Sequence, residues 1–280
     1  MIHLPVIEWD NPTQSKIQRQ QTRYYISCPI VEGRLGPDDN LFHNCPDCGR
    51  FFTRSCFHDG VHHDEPVVFV DGACLDNGYP GARGGIGIAF GDQDDQQLSL
   101  KVRQCDDPDG PRTSQRAELL AAYHGLLALH NAHVEHAIKE NIKEINEHAS
   151  LSAIGQTWII AMDSEYVVKG IVEWMPKWEV SLNQSIIPCR ALSSSILTSG
   201  YRFLFCNLIK RAEQARNWRT TSGNTPTNLD LFLKLMFFVE ECEEAFDIDV
   251  KFRWIPRQEN QIADSLAKEG ADTARPCLWT

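Results

Sequence analysis

The sequence predicts an α/β fold: a mixed sheet of about five strands, the first three antiparallel, flanked by helices and preceded by an irregular N-terminal extension. Three observations carry this. Short β-branched or apolar runs recur at VVFVD (67–71), GIGIAF (85–90), LSLKVRQ (98–104), WIIAMD (158–163) and KFRWI (251–255). The first three follow one another through short connections, as an antiparallel meander requires. The later two are separated and followed by stretches of helical periodicity.

Taken in order, residues 1–65 hold two turn-rich stretches, EGRLGPDDN and CPDCGR, and no long periodic element. They read as an extension or small irregular module. The run 67–71 ends at Asp71-Gly72, and the glycine-rich NGYPGARGG (77–85) turns the chain into the second strand. Thr113 or Ser114 is placed to cap a helix from Gln115 to His130, rich in Ala and Leu. Residues 131–156 are polar and weakly helical and read as an insertion. A second insertion, 179–216, has one apolar patch and a basic helix-like end. Ser164 starts a helix toward Trp174, Asn228 to Phe246 is amphipathic, and Glu259 to Lys268 forms a last helix stopped by Gly270. The main domain is thus expected over 66–272, with 273–280 as a tail.

At 280 residues and 42% hydrophobic content the chain can bury a sizeable core, which argues against wholesale disorder. No apolar run approaches the roughly 20 residues of a membrane helix, and the start MIHLPVIEWDNP lacks a charged-then-apolar signal pattern. The expectation is a monomeric intracellular protein of nucleus or cytoplasm, neither secreted nor membrane-bound. Six of the ten cysteines are scattered singly and read as reduced thiols. Cys45-Pro-Asp-Cys48-Gly is different, because C-x₂-C is the spacing of a zinc knuckle. Cys56 and His58 are the candidate completing ligands for a structural Zn²⁺, with Cys28, His43, His62 and His63 in reserve; ordinary reduced cysteines are the alternative. His130, His133 and His136 form a weaker candidate group.

The net charge of −11 weighs against a general binder of polyanions. Its distribution reopens the question. Between Tyr201 and Thr220 stand Arg202, Lys210, Arg211, Arg216 and Arg219 against Glu213 alone, with Trp218 among them. The acids concentrate elsewhere, notably Asp92, Asp94, Asp95, Asp106, Asp107 and Asp109.

Four carboxylates occupy unusual places. Asp71 and Asp163 close apolar strand runs. Glu118 lies a turn into its helix beside Ala121, Ala122 and Gly125, and Asp264 sits between Ile262 and Leu266 beside Ala263 and Ala267. A buried carboxylate is costly unless paired or bound to a cation. Any one of these acids read alone fits a cap or salt bridge. Several converging would repel one another unless a divalent ion lay between them, and oxygen-only ligation suits Mg²⁺ or Mn²⁺.

VDGAC-LDN (70–77), TSQRAELLA (113–121), AMDSEYVVKGIVEW (161–174), NWRTTSGNTPTNLDLFLKL (217–235) and WIPRQENQIADSLAKEGA (254–271) resemble, in order, signature segments of type 1 ribonuclease H. The resemblance covers about 66–272. It implies a five-stranded ribonuclease H-like sheet whose rim carries Asp71, Glu118, Asp163 and Asp264 as catalytic residues and ligands of two Mg²⁺ ions, which Mn²⁺ can replace. One ion would activate the attacking water and the other would stabilise the leaving 3′ oxygen. The implied activity is endonucleolytic cleavage of the RNA strand of RNA–DNA hybrids, leaving 5′-phosphate and 3′-hydroxyl ends. Cys74, Asn77, Ser114, Gln115 and Glu165 occupy hybrid-contacting positions, and Trp218 lies in what corresponds to a basic protrusion gripping the DNA strand.

The chain departs from that pattern in places. The loop from Trp254 to Asp264 contains no histidine, where many relatives carry one; Arg257 or Glu259 is the candidate substitute. Ser114 and Gln115 replace a common Asn pair, and Glu165 a common Gln. The alternative readings are a catalytically weak or inactive nucleic-acid-binding protein on the same fold, and a related nuclease acting on double-stranded RNA.

Overall fold

The computed structural model of the chain describes residues 23–36, 40–55, 61–108, 110–144, 156–178, 220 and 222–273. The five expected strands are β3 (Val61–Leu75), β4 (Arg83–Ala89), β5 (Gln97–Lys101), β6 (Thr157–Met162) and β7 (Asp249–Trp254), and two short strands precede them. β3, β4 and β5 form the antiparallel meander, and β6 and β7 add in parallel beyond β3. The spatial order is therefore β5-β4-β3-β6-β7. Parallel strands covered on both faces need unbroken apolar runs, and Trp158 to Met162 are all buried.

The extension is more regular than its composition suggested. β1 (Phe42–Asn44) and β2 (Phe51–Arg54) form a hairpin, and β2 pairs with the first half of β3 to make the sheet seven-stranded. β3 runs unbroken across position 65/66, so both segments share one strand. Near the other edge, Tyr25 N–H donates to Phe252 O of β7 at 2.9 Å. Tyr25 and Phe42, with Leu41 and Phe51, cover Val67, Phe69, Ile159, Ala161 and Ile255. Those residues of the central strands would otherwise face water, which makes the extension part of the core. Strands of three and four residues are too short to declare a period of two, which explains why the sequence did not reveal them.

The larger cluster lies on the opposite face. There α2 (Ser114–Glu144), which follows the short helix α1 (Pro29–Glu32) in the chain, and α4 (Leu229–Phe246) pack Leu119, Leu126, Phe232 and Leu235 against Val68, Val70, Ile86 and Ile88. Thr113 is the cap of α2, its Oγ1 accepting from Arg116 N at 3.3 Å. The helix continues well past His130, so the first part of the stretch read as an insertion is helical. α3 (Glu165–Lys169) leads through a π-helical turn, Gly170–Trp174, into Met175–Trp178.

The last helix, α5 (Gln261–Thr273), packs on β3, β4 and β5 through Ala263, Ala267 and Ala271. Gly270 does not stop it. A Cβ there would lie 2.4 Å from Leu100 O, so this glycine lets the helix approach β5. The insertion at 179–216 lies outside the described residues.

A buried ion network ties the loop before α2 to the helices. Asp107, 3% exposed, accepts from Arg116 at 2.5 Å and Arg112 at 3.3 Å, and Arg116 reaches Asp230 of α4 at 2.6 Å.

Candidate active site

The four singled-out carboxylates gather at one end of the sheet. β3 and β6 are parallel neighbours with Phe69 opposite Ala161. Two residues further along each chain, the same register sets Asp71 abreast of Asp163. Gly72 follows Asp71 because α2 crosses directly above it: a Cβ there would lie 2.2 Å from Glu118 N. That close approach delivers Glu118 to the neighbourhood of Asp71. Asp264, from the first turn of α5, completes the set, its N–H donating to Asn260 O at 3.0 Å.

Each acid is held differently. Asp71 is 9% exposed on β3, opposite Gly87 of β4. Glu118 accepts from the Ser164 hydroxyl at 2.5 Å. Ser164 is also the N-cap of α3, accepting from Val167 N at 3.4 Å. Asp163 Oδ1 accepts from Asn260 Nδ2 at 3.0 Å. Asp264 accepts from Arg257 and from Lys268, each at 2.5 Å.

The electrostatics show a crowded cluster. Burial, then the like charges of Asp163, Asp264 and Glu118, push the Asp71 carboxyl up to about 7. Burial also raises Glu118, with Asp163 adding to the effect and Ser164 opposing it. Burial would raise Asp264 too, but its bonds to Lys268 and Arg257 win and hold it below the ordinary carboxylate range. An oxygen-only donor set whose members destabilise one another's charge is chemically suited to a divalent hard cation.

The expected substrate-contacting residues sit around this end. Cys74 lies on β3 beyond Asp71, and Asn77 in the exposed turn after it. Ser114 and Gln115 open α2 a turn before Glu118, while Glu165 opens α3 and pairs with Lys169 at 2.5 Å. Trp218 and the basic stretch from Arg202 to Arg219 lie outside the described residues. Trp174 and Trp178, just before that stretch, lie 6.1 Å apart with their rings tilted by 39°, and Trp178 meets Phe232 edge-on at 5.5 Å. His130 and His133 pack against Phe246, and His133 also against Trp158, as aromatic partners.

Three residues of the site were not singled out from sequence. Asn260 and Ser164 orient two of the acids, and Trp254, 38% exposed, donates from Nε1 to Asp163 O at 3.2 Å. Asn260 had a signal, since a lone Asn directly before an amphipathic helix is a start marker. Its reach to Asp163 depends on tertiary geometry.

A second group of chemistry-bearing side chains lies in the extension. Cys45, Cys48 and His63 place their ligand atoms within 4.8 Å of one another. His63, one of the reserve candidates, joins the two cysteines. Cys56 and His58 lie outside the described residues.

Comparison with known proteins adds the following. A family model described as RNase H matches residues 63–272. Mouse ribonuclease H1 is 23% identical over 87% of this chain and 63% of its own length. A ribonuclease H of Schizosaccharomyces pombe is 30% identical over 41% of this chain and 33% of its own. Ribonuclease HI of Caulobacter vibrioides is 26% identical over 75% of this chain and 95% of its own. The alignments with the first three of the matching relatives thus span a third to just under two thirds of those proteins.

Proposed function

The chain belongs to the RNase H family, and from that membership and its four-carboxylate sheet end we propose that it hydrolyses the RNA strand of RNA–DNA hybrids. The observation that carries this reading is the convergence of Asp71, Glu118, Asp163 and Asp264, whose mutual repulsion a divalent cation would relieve. We assign these four as the ligands of two Mg²⁺ ions, with Mn²⁺ as an acceptable replacement, and the products as 5′-phosphate and 3′-hydroxyl ends. When bound, the metal supplies Lewis-acid polarisation of the scissile phosphate and lowers the pKa of a nearby water.

The chain's own groups do the positioning. Asn260 and the Trp254 indole fix the carboxylate and carbonyl of Asp163, and Ser164 fixes Glu118. Arg257 and Lys268 partly neutralise Asp264, and the exposed guanidinium of Arg257 would also be available to a substrate phosphate. Choosing RNA requires contact with 2′-hydroxyls, a role that falls to the polar surface around Cys74, Asn77, Ser114, Gln115 and Glu165. The basic residues between Arg202 and Arg219, with Trp218, would grip the other strand.

The test incubates the protein with labelled RNA–DNA hybrid, RNA duplex and DNA duplex, in Mg²⁺ or EDTA, beside Asp163→Asn. Metal-dependent loss of only the hybrid's RNA, absent in the variant, supports the reading. Absence of cleavage by the wild type under Mg²⁺ or Mn²⁺ leaves a nucleic-acid binder instead.

A further inference from the structure

The hairpin β1–β2 is a weak element by its own contents. Apart from Phe42, which packs on the main sheet, its buried apolar side chains are Cys45 and Phe52, which meet Val61 of β3, with Cys48 packed against them. A two-stranded hairpin with so small a core is marginal in water, yet this one ends in a defined turn. Cys45 N–H donates to Arg50 O and Gly49 N–H to Cys45 O, both at 2.8 Å. Gly49 has φ of 69°, the left-handed region, so the Cys-Pro-Asp-Cys-Gly order is matched to its geometry.

That turn aims both sulfurs at β3. His63 Nε2 stands 3.3 Å from Cys45 Sγ, and the Cys48 sulfur lies within the same group of three. Around a tetrahedral ion with Zn–S near 2.3 Å and Zn–N near 2.0–2.1 Å, ligand atoms stand about 3.5–3.8 Å apart. The group therefore needs only small adjustments to enclose one. His63 is also held from behind, its ring edge-on to Phe52 at 4.7 Å.

We propose that Cys45, Cys48 and His63 bind one Zn²⁺ ion. Two thiolates and an imidazole are a donor set for zinc rather than for the hard cation of the carboxylate end. The ion would be a staple. It would join the hairpin turn to β3 eight residues before Asp71. The turn is in turn bonded to the β4–β5 corner, through Gln96 Nε2 to Cys48 O at 2.8 Å and Asp92 N–H to Gly49 O at 3.0 Å. The hairpin that covers the second face of the sheet would be fixed on two sides.

The experiment measures metal content on the full chain purified without chelator. One zinc per chain is expected, retained in Asp71→Asn and His62→Ala and lost in Cys45→Ala and His63→Ala. Less than about a fifth of an equivalent in the wild type, or zinc that leaves with Asp71→Asn, would overturn the proposal. Should the cysteine and histidine variants fail to fold, Co²⁺ reconstitution of the wild type decides. Two thiolates give a sulfur-to-cobalt charge-transfer band that a carboxylate site cannot give, and a visible spectrum without that band counts against the site. A Cys45–Cys48 disulfide in the freshly purified protein also overturns it. None of these readouts uses nuclease activity, so the zinc site and the proposed function stand or fall separately.

Discussion

Asn260 holds Asp163: its Nδ2 lies 3.0 Å from the carboxylate Oδ1 and, from the same nitrogen, 3.0 Å from the carbonyl of Val70. One amide thus joins the start of α5 to the residue preceding Asp71 and to the end of β6. Asn260 is 1% exposed, so both bonds are shielded from bulk water. Groups that orient metal ligands typically matter by about 10–100-fold in metal affinity or activity. Asn260→Ala is expected to lower kcat within that range and raise the Mg²⁺ requirement, with hybrid KM little changed. Hybrid titrations at several Mg²⁺ concentrations check this, and an unaltered Mg²⁺ dependence would remove the positioning role.

The raised Asp71 makes the metal-free protein pH-sensitive. Its folded pKa of about 7 exceeds the ordinary carboxylate value, so between roughly pH 4 and 7 the native state binds more protons than the unfolded state. Stability of the metal-free protein is therefore fully present below pH 4 as far as this group is concerned, and is lost as pH rises through 7. Added Mg²⁺ should stabilise more at pH 8 than at pH 5.5, because at the lower pH a proton must leave first. Thermal melts in EDTA and in Mg²⁺ at the two pH values measure the difference. Equal metal-induced shifts would contradict the assignment of Asp71 as a ligand.

If Asp264 is a metal ligand as proposed, Arg257, which pairs with it, would compete with the metal. The pair is only partly shielded, Arg257 being 69% exposed, so its own energy is small. Its effect on the cluster is larger, because one positive charge offsets part of the repulsion that recruits the cation. Arg257→Ala is expected to lower the Mg²⁺ concentration for half-maximal activity about two- to fivefold. If Arg257 also meets substrate phosphate, hybrid KM rises in the same variant. The two effects separate in a matrix of metal and substrate concentrations.

The acids of the site were legible because each interrupts an apolar or small-residue run, a pattern with a definite energetic cost. Asp163 could be placed at a strand end from WIIAMD alone, whereas β3 continues past Asp71 to Leu75, so VVFVD located that acid on its strand but not the strand's end. The five main strands were legible for the same reason. Asn260 and Ser164 were not, since an isolated Asn or Ser is the commonest of caps and only tertiary contact gives it a further task. The two short strands of the extension are hidden in its sequence because Tyr25 and Phe42 stand alone and Phe51 lies in a strand of only four residues. Their apolar partners come from β3, β6 and the residue after β7. His63 became a partner of Cys45 and Cys48 only through strand pairing, which sequence spacing does not encode. Gly270 read as a helix stop because glycine ends helices far more often than it lets one approach a sheet.

The Asp107 network predicts a stability change away from the catalytic end. Asp107→Ala leaves Arg112 and Arg116 buried, with Arg116 still bonded to Asp230. Removing one partner of a buried ion pair costs roughly 3–5 kcal/mol, and the surviving Asp230 contact places this variant near the lower end. In urea the midpoint should fall while the slope stays unchanged. A loss below about 0.5 kcal/mol would show that the two arginines find other partners.

To act on a polyanion as proposed, a chain of net charge −11 needs a local basic surface. The candidate is the stretch holding Arg211, Arg216 and Arg219, which follows the tilted Trp174–Trp178 pair in the chain. Each phosphate neutralised releases condensed counterions and contributes about 0.7–0.9 to the slope of log affinity against log salt. Replacing all three arginines by glutamate should therefore raise hybrid KM and reduce that slope by about two to three, while kcat stays near the wild-type value because the carboxylates are untouched. Charge alone does not grip a strand whose sugars and bases also need an apolar face, so Trp218→Ala should raise KM with little change in slope. The pair of variants separates phosphate contact from stacking. Unchanged KM and slope in the triple variant would move the binding surface elsewhere, and Lys169 beside Glu165 would become the next cation to test.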